Sequence, residues 1–301
     1  MIMSGGVQLG FDPAREEREL SEYLGSGFRL ERLRRYEQQV EAEFAAVKDE
    51  RTFYRTSTAY LYDLTAFAMT GTKGPYLQEL TRRVRPPARL LDYGCGIGSD
   101  GLLLLEAGYR VEFADFQNPS VDYLRWRLAK RGLTAPIHDL DLGVPVGFDA
   151  AFAFDVIEHV PDPFAFLHEL EQRARLVEVN LLEHEPGARP LHHELPVKAL
   201  LRYLTNRRLR FYRVLHGRSH LVLYEPGPAS GAGRLLSRSR IAAGRARHQA
   251  GRAARRSRRA DRRATPKAAG GDLPGSAQPP PGSAEAASPL PPARTAGGAP
   301  D

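Results

Sequence analysis

The 301-residue sequence has one cysteine, Cys95, and so cannot form an internal disulfide; a reducing compartment fits that usage. It also lacks long apolar runs. Stretches such as Gly101 to Leu105 and Ala150 to Phe154 fall far short of the roughly 20 residues that a membrane span needs. Residues 1–20 contain no apolar stretch of the signal-peptide kind. A cytoplasmic location without a transmembrane segment is therefore expected. Acids are scarce at the C-terminal end, where 13 basic residues and one acid, Asp261, lie between Arg234 and Lys267. Residues 1–233 hold 29 basic and 32 acidic residues, so the net charge of +7 comes from that end. From about residue 227 the apolar periodicity stops and Pro, Gly, Ala, Ser and Arg dominate, a composition expected to stay disordered. A basic tail of this kind could meet nucleic acid or anionic lipid; a solvated tail is the favoured expectation. Nothing in the sequence fixes an oligomeric state.

What is present is a change of period along the chain. Residues 13–50 are charged and helical in pattern, with Leu30, Leu33, Val40, Phe44 and Val47 at helix-like spacing. Residues 53–69 form a more apolar helical stretch, and the turn Gly71-Thr-Lys-Gly74-Pro75 leads into a helix from Tyr76 to about Val84. Then short strands and helices alternate. Strands are expected at 89–93, 109–114, 136–138, 148–154 and 174–180, and helices at 99–107, 119–131, 162–173 and 196–204. That alternation implies a parallel, doubly wound sheet. Two final strands, 209–215 and 219–224, flank His216-Gly217 as a hairpin, so the last strand should run antiparallel.

The segment LLDYGCGIGSDG, residues 90–101, sits between the first strand and its helix. Glycines at 94, 96 and 98 let the backbone turn sharply and approach a ligand. A dinucleotide site would ask for G-x-G-x-x-G, but the third such position here is Ser99. Asp92 at the strand end would repel a pyrophosphate and attract a cationic group. Asp115 ends the second strand, 17 residues after Gly98, where a carboxylate can accept from both ribose hydroxyls, and Phe116 beside it can pack on adenine.

The turn resembles motif I of class I S-adenosylmethionine-dependent methyltransferases. The segment FDAAFAFDVIEHVPDP, residues 148–163, is similar to the ubiquinone-biosynthesis O-methyltransferases and related small-molecule enzymes. The resemblance covers roughly residues 75–225. It implies an α/β fold: a Rossmann-like, doubly wound, mostly parallel seven-stranded sheet with an antiparallel last strand. An N-terminal helical extension or lid (1–74) would precede the methyltransferase domain (75–226), and a disordered tail (227–301) would follow it. S-adenosyl-L-methionine is the implied cofactor. Asp92, Gly94, Cys95, Gly96 and Gly98 would hold its methionine part, with Cys95 a small loop residue rather than a nucleophile. Asp115 and Phe116 would hold the adenosine, Asp139 beside Leu140 would accept from the adenine amino group, and Phe154 and Asp155 would border the cofactor.

The acceptor implied is a small molecule or glycan, methylated on oxygen. Loss of a hydroxyl proton favours a positioned base, and histidine is the best-suited side chain. His159, His184 and His193 are the candidates, with His192 beside the last. In related enzymes the loop holding His192 and His193 covers the acceptor pocket. Tyr54, Arg55, Tyr60 and Tyr62 lie where such enzymes carry a lid, and Arg55 could pair with an anionic acceptor. Asp155, Glu158 and His159 have helical spacing and resemble the cation-binding segment of small-RNA 2′-O-methyltransferases. The first acid there is Glu, however, and the Pro-Asn segment of those enzymes is replaced by Leu181-Leu-Glu-His184, so no metal is expected. The rival readings are a methyltransferase of RNA or protein recruited by the basic tail, and a non-catalytic module that binds the cofactor.

Overall fold

Short strands of three to six residues, β1 (Arg89–Tyr93), β2 (Arg110–Asp115), β3 (Ile137–Asp139), β4 (Ala150–Ala153) and β5 (Val177–Leu182), run parallel to one another. The computed structural model describes residues 9–183 and 192–264, with side chains as far as residue 254. β6 (Arg208–Leu215) and β7 (Ser219–Glu225) complete a seven-stranded sheet of order β3-β2-β1-β4-β5-β7-β6. β7 is antiparallel to both neighbours, as the hairpin implied. His216 and Gly217 both take positive φ, 50° and 85°. They belong to the three-residue connection 216–218, whose Arg218 amide donates to the Leu215 carbonyl at 3.2 Å.

The sheet is buried on both faces because its side chains alternate. Leu90, Ala150 and Phe152 pack into one layer with α6 (Gly74–Arg83), α7 (Ser99–Glu106) and α8 (Pro119–Lys130). Leu91, Ala151 and Ala153 pack into the other with α9 (Pro163–Arg173) and α10 (Val197–Thr205). Helix starts follow local chemistry. Asn118 and Asp162 cap α8 and α9 through their side-chain oxygens, and each is followed by proline at the first helical position. β5 begins three residues later than the apolar pattern suggests, since Ala174 makes only an isolated bridge to Phe148.

Two sequence expectations need correction. The helical stretches 13–50 and 53–69 are divided into five helices: α1 (Pro13–Leu24), α2 (Leu30–Arg34), α3 (Tyr36–Val47), α4 (Glu50–Thr56) and α5 (Ala59–Met69). Gly25, at φ 51°, ends α1, and Lys48, at φ 58°, ends α3. The expected disorder from residue 227 is also wrong over its first part, where α11 runs from Gly231 to Ala264. Ser237 and Ile241 of α11 are buried against the domain. Residues 265–301 of the expected tail lie outside the described residues. The chain divides into two units, Met1–Arg255 and Arg256–Asp301, and only the last turns of α11 are described in the second. Among the described residues no helix is long and apolar enough to cross a membrane.

Candidate active site

In this topology the chain moves from β1 outward to β2 and β3, then returns to place β4 on the other side of β1. A crevice opens at such a reversal, outside the carboxyl ends of the strands. A cavity of about 1050 Å³ lies there, lined by Gly94, Cys95, Gly96, Asp115, Phe116, Leu140, Phe154 and His159 among the residues singled out above. Its upper wall comes from the N-terminal helices, through Tyr54 of α4 and Tyr60, Leu64 and Phe67 of α5.

The glycine turn is fixed from below. Gly98, the residue before α7, has φ 71°, and a Cβ there would sit 2.4 Å from Leu124 Cδ1 of α8. Both the backbone and the neighbour therefore require glycine. Gly98→Ala should cost about 1–3 kcal/mol of stability in denaturant unfolding; a loss under roughly 0.5 kcal/mol would show that α8 yields without strain. Gly98 does not line the cavity, so its part is to shape the turn.

Asp115 holds that turn from the β2 side. Its Oδ2 accepts from the Gly96 amide at 2.7 Å and its Oδ1 from the Phe116 amide at 2.7 Å. Burial pushes its carboxyl up to about 6 against these hydrogen bonds. Asp139 is half-buried at the end of β3, accepts from the Asp141 amide at 3.0 Å, and does not line the cavity, whereas Leu140 does. Arg55 is turned away from an acceptor role. It pairs with Asp141 at 2.6 Å, and its guanidinium carbon lies 4.7 Å from the centre of the Phe116 ring.

Asp92 is buried beneath the turn, accepts from the Gly101 amide at 3.1 Å, and does not line the cavity. It belongs to a cluster the sequence reading missed. Lys73, just before α6, stands 3.4 Å from Asp100 and 3.8 Å from Asp155, and donates to the Phe154 carbonyl at 3.1 Å. Burial alone would depress this ammonium, but Asp100, Asp155 and Asp92 outweigh burial and raise it. Burial, with Asp100 beside it, pushes the Asp92 carboxyl well up. Three carboxyls thus share one lysine. Asp155 Oδ2 is buried without a hydrogen bond among the described residues. The only sequence trace of Lys73 was the turn Gly71-Thr-Lys-Gly74-Pro75, which gives the position of a loop and not its partners.

Asp155 and His159 do not share a helix face. Asp155 takes φ 57° and the residues after it form a short 3-10 turn, Ile157–His159. Among the described residues no group of His, Cys, Asp and Glu is arranged to hold a metal ion. Glu158 is buried behind the turn with Oε2 unpaired, and burial, reinforced by Asp155, pushes its carboxyl up to about 8. His159 lies in the cavity wall, its Nδ1 2.7 Å from the Tyr54 hydroxyl and its ring 4.8 Å from that of His192. Burial raises the Tyr54 phenol, so it remains a neutral partner. His193 lies off the cavity, its Nε2 3.4 Å from Glu50 and its amide donating to the Glu158 carbonyl at 2.8 Å. His184 lies outside the described residues.

A family model described as a methyltransferase domain matches residues 69–213. Those 145 residues are 48% of the chain, and over them it is similar to a methyltransferase domain. The match begins at the last residue of α5, so the cavity's aromatic wall precedes it and α11 follows it. A cypemycin N-terminal methyltransferase from Streptomyces sp is 28% identical over 134 residues, 44% of this chain and 53% of that protein. The chain thus spans about half the length of the curated relative it matches. Among solved structures, magnesium protoporphyrin IX methyltransferase from Synechocystis PCC 6803 is 15% identical with a TM-score of 0.47, over 64% of this chain and all of that one. Mitomycin 7-O-methyltransferase is 18% identical with a TM-score of 0.46, over 72% and 73% of the two chains.

Proposed function

We propose that the protein transfers a methyl group from S-adenosylmethionine to a hydroxyl of a small molecule or glycan. The observation that carries this reading is a single cavity bounded on one side by the glycine turn and Asp115 and on the other by aromatics and His159. At about 1050 Å³ it exceeds the range of roughly 300–1,000 Å³ for drug-sized ligands, leaving room for cofactor and acceptor together. The carboxyls around Lys73 outnumber it, and Asp155 keeps a buried oxygen without a hydrogen bond; such a group suits a ligand bearing both a carboxylate and cationic groups. When bound, the cofactor supplies an already activated methyl. The protein's work is then alignment, together with removal of the acceptor's proton.

In this reading Lys73 meets the ligand's carboxylate, and Asp155 and Asp100 face its ammonium. Asp92 acts from beneath, by holding the Gly101 amide and adding negative charge. Gly94, Cys95 and Gly96 bring backbone against the ligand, while Gly98 shapes the turn. Asp115 accepts from the ribose, Phe116 and Leu140 flank the adenine, Asp139 orders the loop around it, and Phe154 closes the side nearest β4. His159, oriented by the Tyr54 hydroxyl, accepts the proton of the attacking hydroxyl.

Titration calorimetry with S-adenosylmethionine and its demethylated product tests the cofactor half. Asp115→Ala should weaken binding by about 1–3 kcal/mol. Because the free carboxyl is held up to about 6 by burial, protonation at lower pH removes an acceptor. Wild-type affinity should therefore fall from about pH 7.5 to about pH 5, and the variant should lose that dependence. Tight binding of a nicotinamide cofactor in place of S-adenosylmethionine would sink the assignment. A screen of hydroxyl and amine acceptors with labelled cofactor tests the acceptor half.

A further inference from the structure

The strongest feature the methyl-transfer reading leaves unused is α11, which holds twelve arginines, no lysine and one acid, Asp261. Its first turns are seated firmly. Ser237 Oγ donates to the Arg207 carbonyl at 3.1 Å, Ile241 is buried, and Arg240 donates to the Leu209 carbonyl of β6, the outermost strand. Gly244 touches the ring of Tyr212, where a Cβ would approach to 2.4 Å. The helix is therefore fixed along one margin of the sheet by residues 237, 241 and 244, which share a face at helical spacing.

That seating leaves the charge outward. Arg234, Arg238, Arg247 and Arg252 are exposed, and none pairs with a carboxylate among the described residues. Arg238, Arg245 and Arg252 recur every seven residues, so they lie in a row at intervals of about 10 Å along the helix. Like charges at this density oppose helix formation, and a polyanion alongside would relieve the repulsion. The sequence adds six further arginines between 255 and 263.

We propose that α11 is a docking surface for the phosphate backbone of nucleic acid, read without regard to base sequence. Arginine rather than lysine fits this partner, since the guanidinium fork meets phosphate oxygens in pairs. A membrane surface fits less well. Leu235 and Leu236 are the only large apolar side chains exposed on the described part of the helix, and alanines and arginines occupy most of the rest of its outer face. An interfacial helix needs a broad apolar face of larger side chains. The proposal does not depend on which acceptor is methylated.

The test uses the full chain and labelled mixed-sequence probes, a duplex DNA and a single-stranded RNA of about 20 nucleotides, followed by fluorescence anisotropy. Binding of either should weaken steeply from about 50 to about 200 mM salt. Replacing Arg234, Arg238, Arg247 and Arg252 by glutamine should weaken it at least roughly tenfold. The log–log salt slope on duplex should fall by about 0.9 for each phosphate contact removed. A second variant with glutamine at the six arginines of 255–263 should weaken binding further, and the melting temperature and cofactor affinity should stay put in both. No binding at about 50 mM salt overturns the proposal. So does unchanged affinity in both variants, or partition onto phosphatidylglycerol vesicles by a protein that ignores both probes.

Discussion

Glu19→Ala should destabilise the protein by about 3–5 kcal/mol, the usual cost of removing one partner from a buried ion pair. Glu19 of α1 bridges Arg127 at 2.8 Å and Arg131 at 2.7 Å, both on or just beyond α8. Arg127 has no exposed side-chain surface, and loss of Glu19 leaves it Glu16, at 2.5 Å, as its remaining acidic partner. Burial works against the Glu19 carboxylate, but Arg131 and Arg127 prevail and hold it down to about 2. A depressed carboxyl stabilises the fold above its unfolded value near 4.5, and the gain is lost as pH falls towards about 2. The melting temperature at neutral pH should therefore drop by on the order of 10 °C in the variant. The difference between wild type and variant should shrink as the solution is acidified. Arg127 also donates to the Ile97 carbonyl and to Ser99 Oγ at 2.9 and 2.8 Å, so cofactor affinity should suffer as well. A loss below about 1 kcal/mol would mean that Glu16 alone satisfies Arg127.

His159→Ala should cut turnover on the order of 10²–10⁴-fold, once an acceptor is in hand, with cofactor affinity nearly unchanged. Of the three histidines singled out by sequence, His159 is the one the described residues place in the cavity wall, and Tyr54 fixes its ring. Wild-type rate should rise with pH as an imidazolium gives up its proton, and this limb should vanish in the variant. Tyr54→Phe should retain part of the rate, because it loosens the ring without removing it. Near-normal turnover in His159→Ala would defeat histidine base catalysis at this position. Glu158 would then be the group to examine, since burial and Asp155 push its carboxyl up to about 8.

What could be read from sequence was local. The strands, the helices between them, the hairpin at His216-Gly217 and the glycine turn each carry their signal within a dozen residues. The contacts that complete the site do not. Lys73 is 27 residues from Asp100 and 82 from Asp155, and no periodicity links them. Tyr54 reaches His159 across 105 residues. The error over α11 has a different cause. Composition argued for disorder because charge is dense there and large apolar residues are few. Yet the helix is seated by a serine hydroxyl, one isoleucine and a glycine that lets a tyrosine ring come close, and hydrophobicity is blind to two of those three.

The cavity is assembled from two parts of the chain. One wall, with the glycine turn and Asp115, lies within the stretch that matches the methyltransferase domain, and the other is supplied by α4 and α5 ahead of it. In the proposed reading, chemistry and choice of substrate are thereby physically separable: the leading helices could be exchanged, and with them the molecule recognised, while the part that presents the methyl group stays as it is. Grafting residues 1–68 from a relative onto this chain is then a route to new acceptors, provided the graft restores a partner for Arg127.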